Sequence, residues 1–197
     1  MIAIGLDLGQ RRDYTAIVVV ERQRRHPYLV GPDKNLLVRA AERLPLGTLY
    51  PEVVEIVRHV VRTVSTRLGP RETCQLVVDA TGVGKPVVDA LQAGNLGCWL
   101  TALTITTGDK QHYRSGESSS INMPKQNLMA GLQLALESGE LRISKKIPAA
   151  GMLTKELLDV RMSRRDGAGI RYGAEGAGRH DDLVIALALA VWRAKDW

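Results

Sequence analysis

The chain has 197 residues, of which 45% are hydrophobic and 24% are charged, as in a soluble single-domain protein with a core of its own. Two cysteines are too few for a disulfide framework or a cysteine-rich zinc site, and the longest apolar run, residues 183–192, is too short to span a bilayer. A net charge of +6 and a pI of about 9.5 favour a polyanionic partner such as nucleic acid. We therefore expect a cytoplasmic protein with no membrane partner.

The first predicted element is a buried strand over residues 1–9, because this stretch is short, apolar and closed by Gly9. Asp7 lies in the middle of this predicted strand. A buried carboxylate is costly unless it is paired or binds a cation. Residues 15–21 are apolar and β-branched, which predicts a second strand joined to the first as an antiparallel hairpin. Asp7 therefore needs a partner from later in the chain.

The next part of the chain predicts a strand–helix–strand unit. The predicted elements are a strand at 35–44, an amphipathic helix at 51–68, a buried strand at 75–80, a helix at 86–93 and a strand at 98–106. Asp79 lies near the end of the buried strand. A helix between two apolar strands predicts a parallel crossover, so parallel strands should join the hairpin in one mixed sheet flanked by helices.

The last part of the chain contains polar and basic segments between helices. The predicted elements are a mobile loop at 107–123, a helix at 124–138, an edge strand at 141–143, an amphipathic helix at 149–162 and a basic β-ribbon at 163–179. Residues 181–194 are apolar nearly all round and predict a buried final helix. This helix begins with Asp181 and Asp182.

Acidic residues thus occur on three apolar elements. Asp79 has a simpler explanation as a partner of turn amides, and Asp181 and Asp182 have one as a cap and dipole partner of the last helix. Asp7 is hard to explain without a cation, and the coincidence of all three elements predicts a site for Mg²⁺ or Mn²⁺, which prefer oxygen ligands. Asp13, in contrast, is expected to be an ordinary solvated charge.

Three stretches together resemble the nuclease domain of the tailed-bacteriophage large terminase, which has the RNase H-like fold of resolvases and integrases. They are Ile-Gly-Leu-Asp-Leu-Gly at 4–9, Val-Val-Asp-Ala-Thr-Gly-Val-Gly at 77–84, and Gly-Arg-His-Asp-Asp-Leu-Val-Ile-Ala at 178–186. The third stretch is the most specific. The resemblance extends over essentially the whole chain and implies a single RNase H-like nuclease domain over residues 1–197.

The resemblance also implies an activity and its partners. It implies a metal-dependent endonuclease that cuts concatemeric double-stranded phage DNA during packaging, in the cytoplasm of a phage-infected or prophage-bearing bacterium. Asp7, Asp79 and one or both of Asp181 and Asp182 would hold two Mg²⁺ or Mn²⁺ ions, with Asp7 shared between them. The implied partners are an ATPase motor domain, the portal and the small terminase subunit.

One departure from the large terminase is clear. A complete terminase carries an ATPase motor with a phosphate-binding loop, and no Gly-x-x-x-x-Gly-Lys-Ser/Thr motif occurs in this sequence. Gly84-Lys85-Pro86 lacks the hydroxyl residue and the first glycine. We therefore expect no ATPase domain here, and either an excised domain or a separately encoded nuclease.

Several weaker candidates surround these acids. His180 is a candidate for proton transfer near the leaving group, and Lys85 is a candidate phosphate contact from the glycine turn. The candidate DNA contacts are the arginines of the predicted ribbon region, Arg164, Arg165, Arg171 and Arg179. Each of these side chains is also consistent with an ordinary charged surface.

Three other functions remain open. A Holliday-junction resolvase would use the same fold and the same acids. The segment from Gly5 to Gly9 is also similar to the first phosphate loop of actin-like ATPases and sugar kinases, although 197 residues are too few for the second lobe of those proteins. A non-catalytic DNA-binding module is the third alternative, and the full set of acids argues against it.

Overall fold

The computed structural model describes residues 1–9, 11, 13–23, 35–69, 72–82, 84–107, 112–114, 120–165, 169–174 and 180–195. The strands are β1 (Ile2–Asp7), β2 (Ala16–Gln23), β3 (Asn35–Arg43), β4 (Cys74–Asp79), β5 (Trp99–Thr106), β6 (His112–Arg114), β7 (Ser120–Pro124), β8 (Leu141–Ile143), β9 (Val160–Arg165) and β10 (Gly169–Ala174). The helices are α1 (Tyr50–Ser65), α2 (Gly84–Ala93), α3 (Lys125–Glu137), α4 (Ala150–Asp159) and α5 (Asp182–Lys195).

Eight of these strands form one mixed sheet in the order β6-β7-β5-β4-β1-β2-β3-β8. The strand β1 pairs with β2 in antiparallel orientation and with β4 in parallel orientation. The strand β4 continues in parallel to β5, so the crossover through α2 is the predicted strand–helix–strand unit. The predicted architecture, a mixed sheet flanked by helices, is confirmed.

Alternating side chains of the central strands supply two separate cores. On one face, Ala3 and Val77 pack with the apolar residues of α5, α3 and α4. On the other face, Ile4 and Leu76 pack with α1 and α2. Because the alternation has period two, Asp7 and Asp79 project to the same face as Ala3 and Val77, which is the face that α5 covers.

The helix α5 lies directly on β1 because Gly5 has no side chain. A Cβ atom at Gly5 would lie 1.9 Å from the carbonyl oxygen of Ala186, in the second turn of the helix. Any larger residue would push the helix off the sheet. This close contact brings the first residues of α5 to the end of β1, where Asp7 lies.

Three predictions about element boundaries are wrong. Asp7 is the last residue of β1 rather than its middle. The loop predicted at 107–123 contains β6 and β7, and the helix predicted at 149–162 ends at Asp159, with β9 beginning at Val160. In the last two cases strand pairing decides the structure: β7 pairs with β5, and β9 pairs with the next strand, β10. Such pairing leaves little trace in local periodicity.

The predicted β-ribbon is confirmed, because β9 and β10 form a two-stranded antiparallel sheet before α5. Arg164 and Arg165 lie on β9 and Arg171 lies on β10. Arg179 lies outside the described residues. Among the helices of the described ranges, none has the length and hydropathy needed to cross a bilayer.

Candidate active site

Two strand ends and one helix start place four carboxylates at the same end of the sheet, although among the described residues only Asp13, His180 and Asp182 have ligand atoms within 4.8 Å of one another. Asp7 and Asp79 are the last residues of the neighbouring parallel strands β1 and β4. Asp181 and Asp182 lie at the start of α5, which packs across the same face. Burial raises the pKa of Asp7 well above its usual range, and the negative charges of Asp79, Asp182 and Asp181 raise it further, in that order. The four acids predicted from the sequence therefore interact around Asp7.

Asp79 is oriented by the turn that follows β4. One of its carboxylate oxygens accepts hydrogen bonds from the Thr81 amide, at 2.8 Å, and from the Thr81 hydroxyl. The Thr81 hydroxyl oxygen in turn accepts a hydrogen bond of 2.8 Å from the Ile105 amide on β5. Burial still raises the pKa of Asp79, although these hydrogen bonds lower it. The explanation of Asp79 as a partner of a turn amide is therefore correct.

Lys125 is a residue of this site that the sequence did not single out. It is the first residue of α3, and its Nζ atom lies 2.8 Å from the Asp181 carboxylate. Its positive charge also lowers the pKa of Asp7 and of Asp79, less than burial raises each of them. A lysine at the start of a helix opposes the helix dipole, and this unfavourable position is the only signal in the sequence that could have marked it.

Asp182 is buried and only loosely contacted by cations. Its Oδ2 atom lies 3.8 Å from Arg43 and 3.7 Å from Nδ1 of His180, beyond hydrogen-bond distance in both cases. Within the described ranges this oxygen has no hydrogen-bond partner. Burial raises the pKa of Asp182 to about 6, against the lowering effects of Arg43 and His180. An ionised oxygen in this position is therefore open to a further ligand.

His180 and Asp13 lie close to Asp182. The ligand atoms of Asp13, His180 and Asp182 all lie within 4.8 Å of one another. The His180 ring stands edge-on to the ring of Tyr14, with centroids 4.9 Å apart and planes at 81°. Asp13 is exposed, as expected, but it belongs to this acidic cluster and is not an isolated surface charge.

Lys85 does not join the carboxylates. It lies on α2, across the sheet from α5, and its side chain is 80% exposed. Its Nζ atom lies 3.7 Å from Asp89 on the same helix. The described structure thus gives Lys85 a place on the surface rather than at the site.

Glu156 and Arg43 form a pair next to the first turn of α5, and neither residue was predicted from the sequence. Glu156, on α4, accepts hydrogen bonds from the amides of Leu183 and Val184, at 3.0 and 3.4 Å. Its other oxygen accepts a hydrogen bond from Arg43, the last residue of β3. A buried glutamate in an otherwise amphipathic helix was the signal that could have found this pair.

Solved structures with the same fold are nuclease domains of large terminases. The magnesium-bound nuclease of thermophilic phage G20c is 23% identical, with a TM-score of 0.65 over 98% of this chain and 81% of that chain. The human cytomegalovirus terminase nuclease domain is 13% identical, with a TM-score of 0.62 over 99% of this chain and 83% of that one. The manganese-bound domain of bacteriophage SPP1 is 12% identical, with a TM-score of 0.56 and coverages of 98% and 85%.

Sequence comparison adds nothing to this result, since no protein-family model and no curated protein matches the chain. The matches to proteins of a bacteriophage and of human cytomegalovirus both span nearly the whole chain. The resemblance inferred from the three sequence stretches is therefore confirmed as a resemblance of fold.

Proposed function

We propose that this protein is a metal-dependent DNA endonuclease whose active site is formed by Asp7, Asp79, Asp181 and Asp182. The observation that carries the proposal is that Asp7 and Asp79 end neighbouring parallel strands beside the start of α5, where the charges of Asp79, Asp182 and Asp181 all act on Asp7. The carboxyl ends of neighbouring parallel strands are where open α/β sheets place their active sites. The same fold occurs in viral nucleases solved with magnesium or manganese bound.

The donor set of the site fits a hard divalent cation. Mutual repulsion and burial oppose ionisation of Asp7 and Asp182, so the ionised site requires positive charge. Lys125 supplies one positive charge next to Asp181, and the positive charge of Arg43 acts on Asp182, but burial still raises the pKa of Asp7 and of Asp182. The unpartnered Oδ2 atom of Asp182 is a ligand of the kind that Mg²⁺ and Mn²⁺ prefer, and the Asp79 carboxylate offers the same oxygen chemistry.

Asp7 is the best candidate for a ligand shared between two ions, because all three other acids act on it. Asp79 would then hold one ion, and Asp181 or Asp182 the other. When bound, two such ions would supply a nucleophilic water and stabilise the leaving oxygen of a phosphodiester.

The surrounding side chains hold these acids in place. Thr81 fixes the orientation of Asp79, and Lys125 holds Asp181 while it offsets part of the negative charge. His180 is held by Tyr14 next to Asp182. A ring nitrogen in this position is suited to give a proton to the leaving oxygen.

Double-stranded DNA is the proposed substrate, in keeping with the net charge of +6. Arg164, Arg165, Arg171 and Arg179 are the proposed backbone contacts, on and after the ribbon. By analogy with the terminases that share the fold, we propose action during genome packaging in the cytoplasm of a bacterial host. A separate ATPase motor, the portal and a small terminase subunit would then be its partners.

A plasmid cleavage assay tests the proposal. We expect the protein to convert supercoiled DNA to cut forms with Mg²⁺ or Mn²⁺, and not with EDTA. The variant Asp7→Asn should lose cleavage and still shift DNA in a gel. Full cleavage by Asp7→Asn in either metal would contradict the proposal.

The same preparation separates the rival functions. Four-way junctions mixed with linear duplex reveal a junction resolvase, which cuts the junctions preferentially. Release of phosphate from ATP, without DNA cleavage, would favour the kinase-like or actin-like alternative.

A further inference from the structure

Glu156 is a buried acid outside the four proposed ligands. Only 5% of the residue is exposed. One of its carboxylate oxygens accepts the Leu183 and Val184 amides in the first turn of α5. These amides have no partner within their own helix, so Glu156 acts as a cap supplied by a neighbouring helix. The cap fixes the start of α5, where Asp181 and Asp182 lie.

The second oxygen of Glu156 binds Arg43, a cation that is also close to the proposed site. The guanidinium of Arg43 packs over the Tyr14 ring, with its central carbon 4.6 Å from the ring centroid. The same Nη2 atom that donates to Glu156 lies 3.8 Å from Oδ2 of Asp182. Arg43 is therefore bound to one acid and held just outside hydrogen-bond distance of the other.

We propose that Glu156 is a positioning residue that keeps Arg43 away from Asp182 and so leaves the Asp182 carboxylate open to a divalent cation. This inference rests on the proposed function. A guanidinium forms its strongest contacts with carboxylates, and a direct Arg43–Asp182 pair would occupy the oxygen that has no partner now. Glu156 prevents that pair by binding Arg43 itself.

The variant Glu156→Gln separates this role from capping. The amide oxygen of glutamine still accepts the Leu183 and Val184 amides, but the charge that holds Arg43 is lost. Arg43 should then pair with Asp182. We expect Mn²⁺ to bind about 10-fold more weakly, as is typical when a residue that supports a metal ligand is changed. Titration calorimetry with Mn²⁺ alone measures this affinity without reference to cleavage.

A second substitution provides the decisive control. The double variant Arg43→Gln/Glu156→Gln lacks the Arg43 guanidinium that would compete for Asp182. Its Mn²⁺ affinity should therefore return to within about 2-fold of wild type. A loss caused by a displaced helix would persist in the double variant. Glu21→Gln is the matched control, because it breaks the exposed Arg39–Glu21 pair between β2 and β3 and should leave Mn²⁺ binding unchanged.

The outcomes distinguish this inference from the proposed function. Wild-type Mn²⁺ affinity in Glu156→Gln, or equal weakening in the single and double variants, would overturn the role of Glu156. A wild-type protein that neither binds Mn²⁺ nor cleaves DNA would instead overturn the proposed function. If Glu156→Gln does not fold, Arg43→Gln alone decides: affinity equal to or tighter than wild type supports the inference, and about 10-fold weaker affinity refutes it.

Discussion

The two ends of α5 both meet the sheet through polar side chains, but with opposite electrostatic effects. Near the C-terminal end, Arg193 donates two hydrogen bonds, of 3.1 and 2.8 Å, to the side-chain oxygen of the fully buried Gln75. Near the N-terminal end, Asp182 faces other acids, and burial raises its pKa and that of Asp7. The first contact holds the helix on the sheet, whereas the second opposes folding unless positive charge is added.

The strand β4 shows the same contrast between a paired polar side chain at one end and an acid at the other. Gln75 and Asp79 both belong to β4, on the same face and roughly 13 Å apart at the usual rise per residue. Gln75 is fully buried and Asp79 is partly buried, and only Gln75 is paired with a cation of α5. Groups that a fold keeps at a cost to its stability are characteristic of functional sites.

Asp7→Asn should have the largest effect, because it should change DNA cleavage and stability in opposite directions. Loss of the proposed shared ligand should reduce DNA cleavage by about 10³-fold, since metal catalysis supplies several kcal/mol. The same substitution removes an acid whose pKa burial raises well above its usual range, so the metal-free protein should become more stable at pH values where Asp7 is ionised in the unfolded chain. Cleavage rates in Mn²⁺ and urea unfolding in EDTA measure the two effects. A variant that is both inactive and less stable would show that Asp7 serves the fold.

Gln75→Leu should have the opposite pattern. It removes two hydrogen bonds to a charged group, so the free energy of unfolding should fall by about 2 kcal/mol. Cleavage at a temperature where the variant is folded should match wild type, because Gln75 lies at the far end of the strand. A cleavage rate more than about 10-fold lower in the folded variant, equal to 1.4 kcal/mol, would contradict the separation of the two ends.

The smallest expected effect is the contribution of Asp182 to the pH dependence of the free energy of unfolding. The pKa of Asp182 is about 6 in the folded protein and about 3.9 in an unfolded chain. Between these values the folded state binds more protons than the unfolded state, so the free energy of unfolding falls as pH rises through this window. Without metal, we expect wild type to lose on the order of 1 kcal/mol more than Asp182→Asn between about pH 4 and pH 7. Urea unfolding at a series of pH values measures the difference, and parallel curves would contradict the assignment.

The acids on β1, β4 and α5 could be noticed in the sequence because each lies within or next to a strongly apolar segment. Asp7 was conspicuous as a charge in a buried strand, and the segment at 178–186 placed two more acids at the start of a buried helix. The central sheet followed from the same segments, since residues 1–9, 15–21 and 75–80 are predominantly apolar.

The supporting residues could not be predicted in the same way. Lys125, Arg43 and Glu156 come from three different elements, and each acts on the site only through contacts distant in the chain, such as the pair formed by residues 43 and 156. The strand β7 was missed for the same reason, because its five residues are ordered by pairing with β5. Local sequence patterns report burial and periodicity, but they do not report which side chains meet.

The central claim is that the acids at the N-terminal end of α5 form a site for a divalent cation. Urea unfolding at about pH 8, with and without Mn²⁺, tests it directly in wild type and Asp7→Asn. A cation that binds only the folded state stabilises it, by about 2.7 kcal/mol at a concentration 100-fold above Kd. We predict that Mn²⁺ raises the unfolding midpoint of wild type and leaves that of Asp7→Asn almost unchanged. Equal shifts in the two proteins, or no shift in wild type, would contradict the claim.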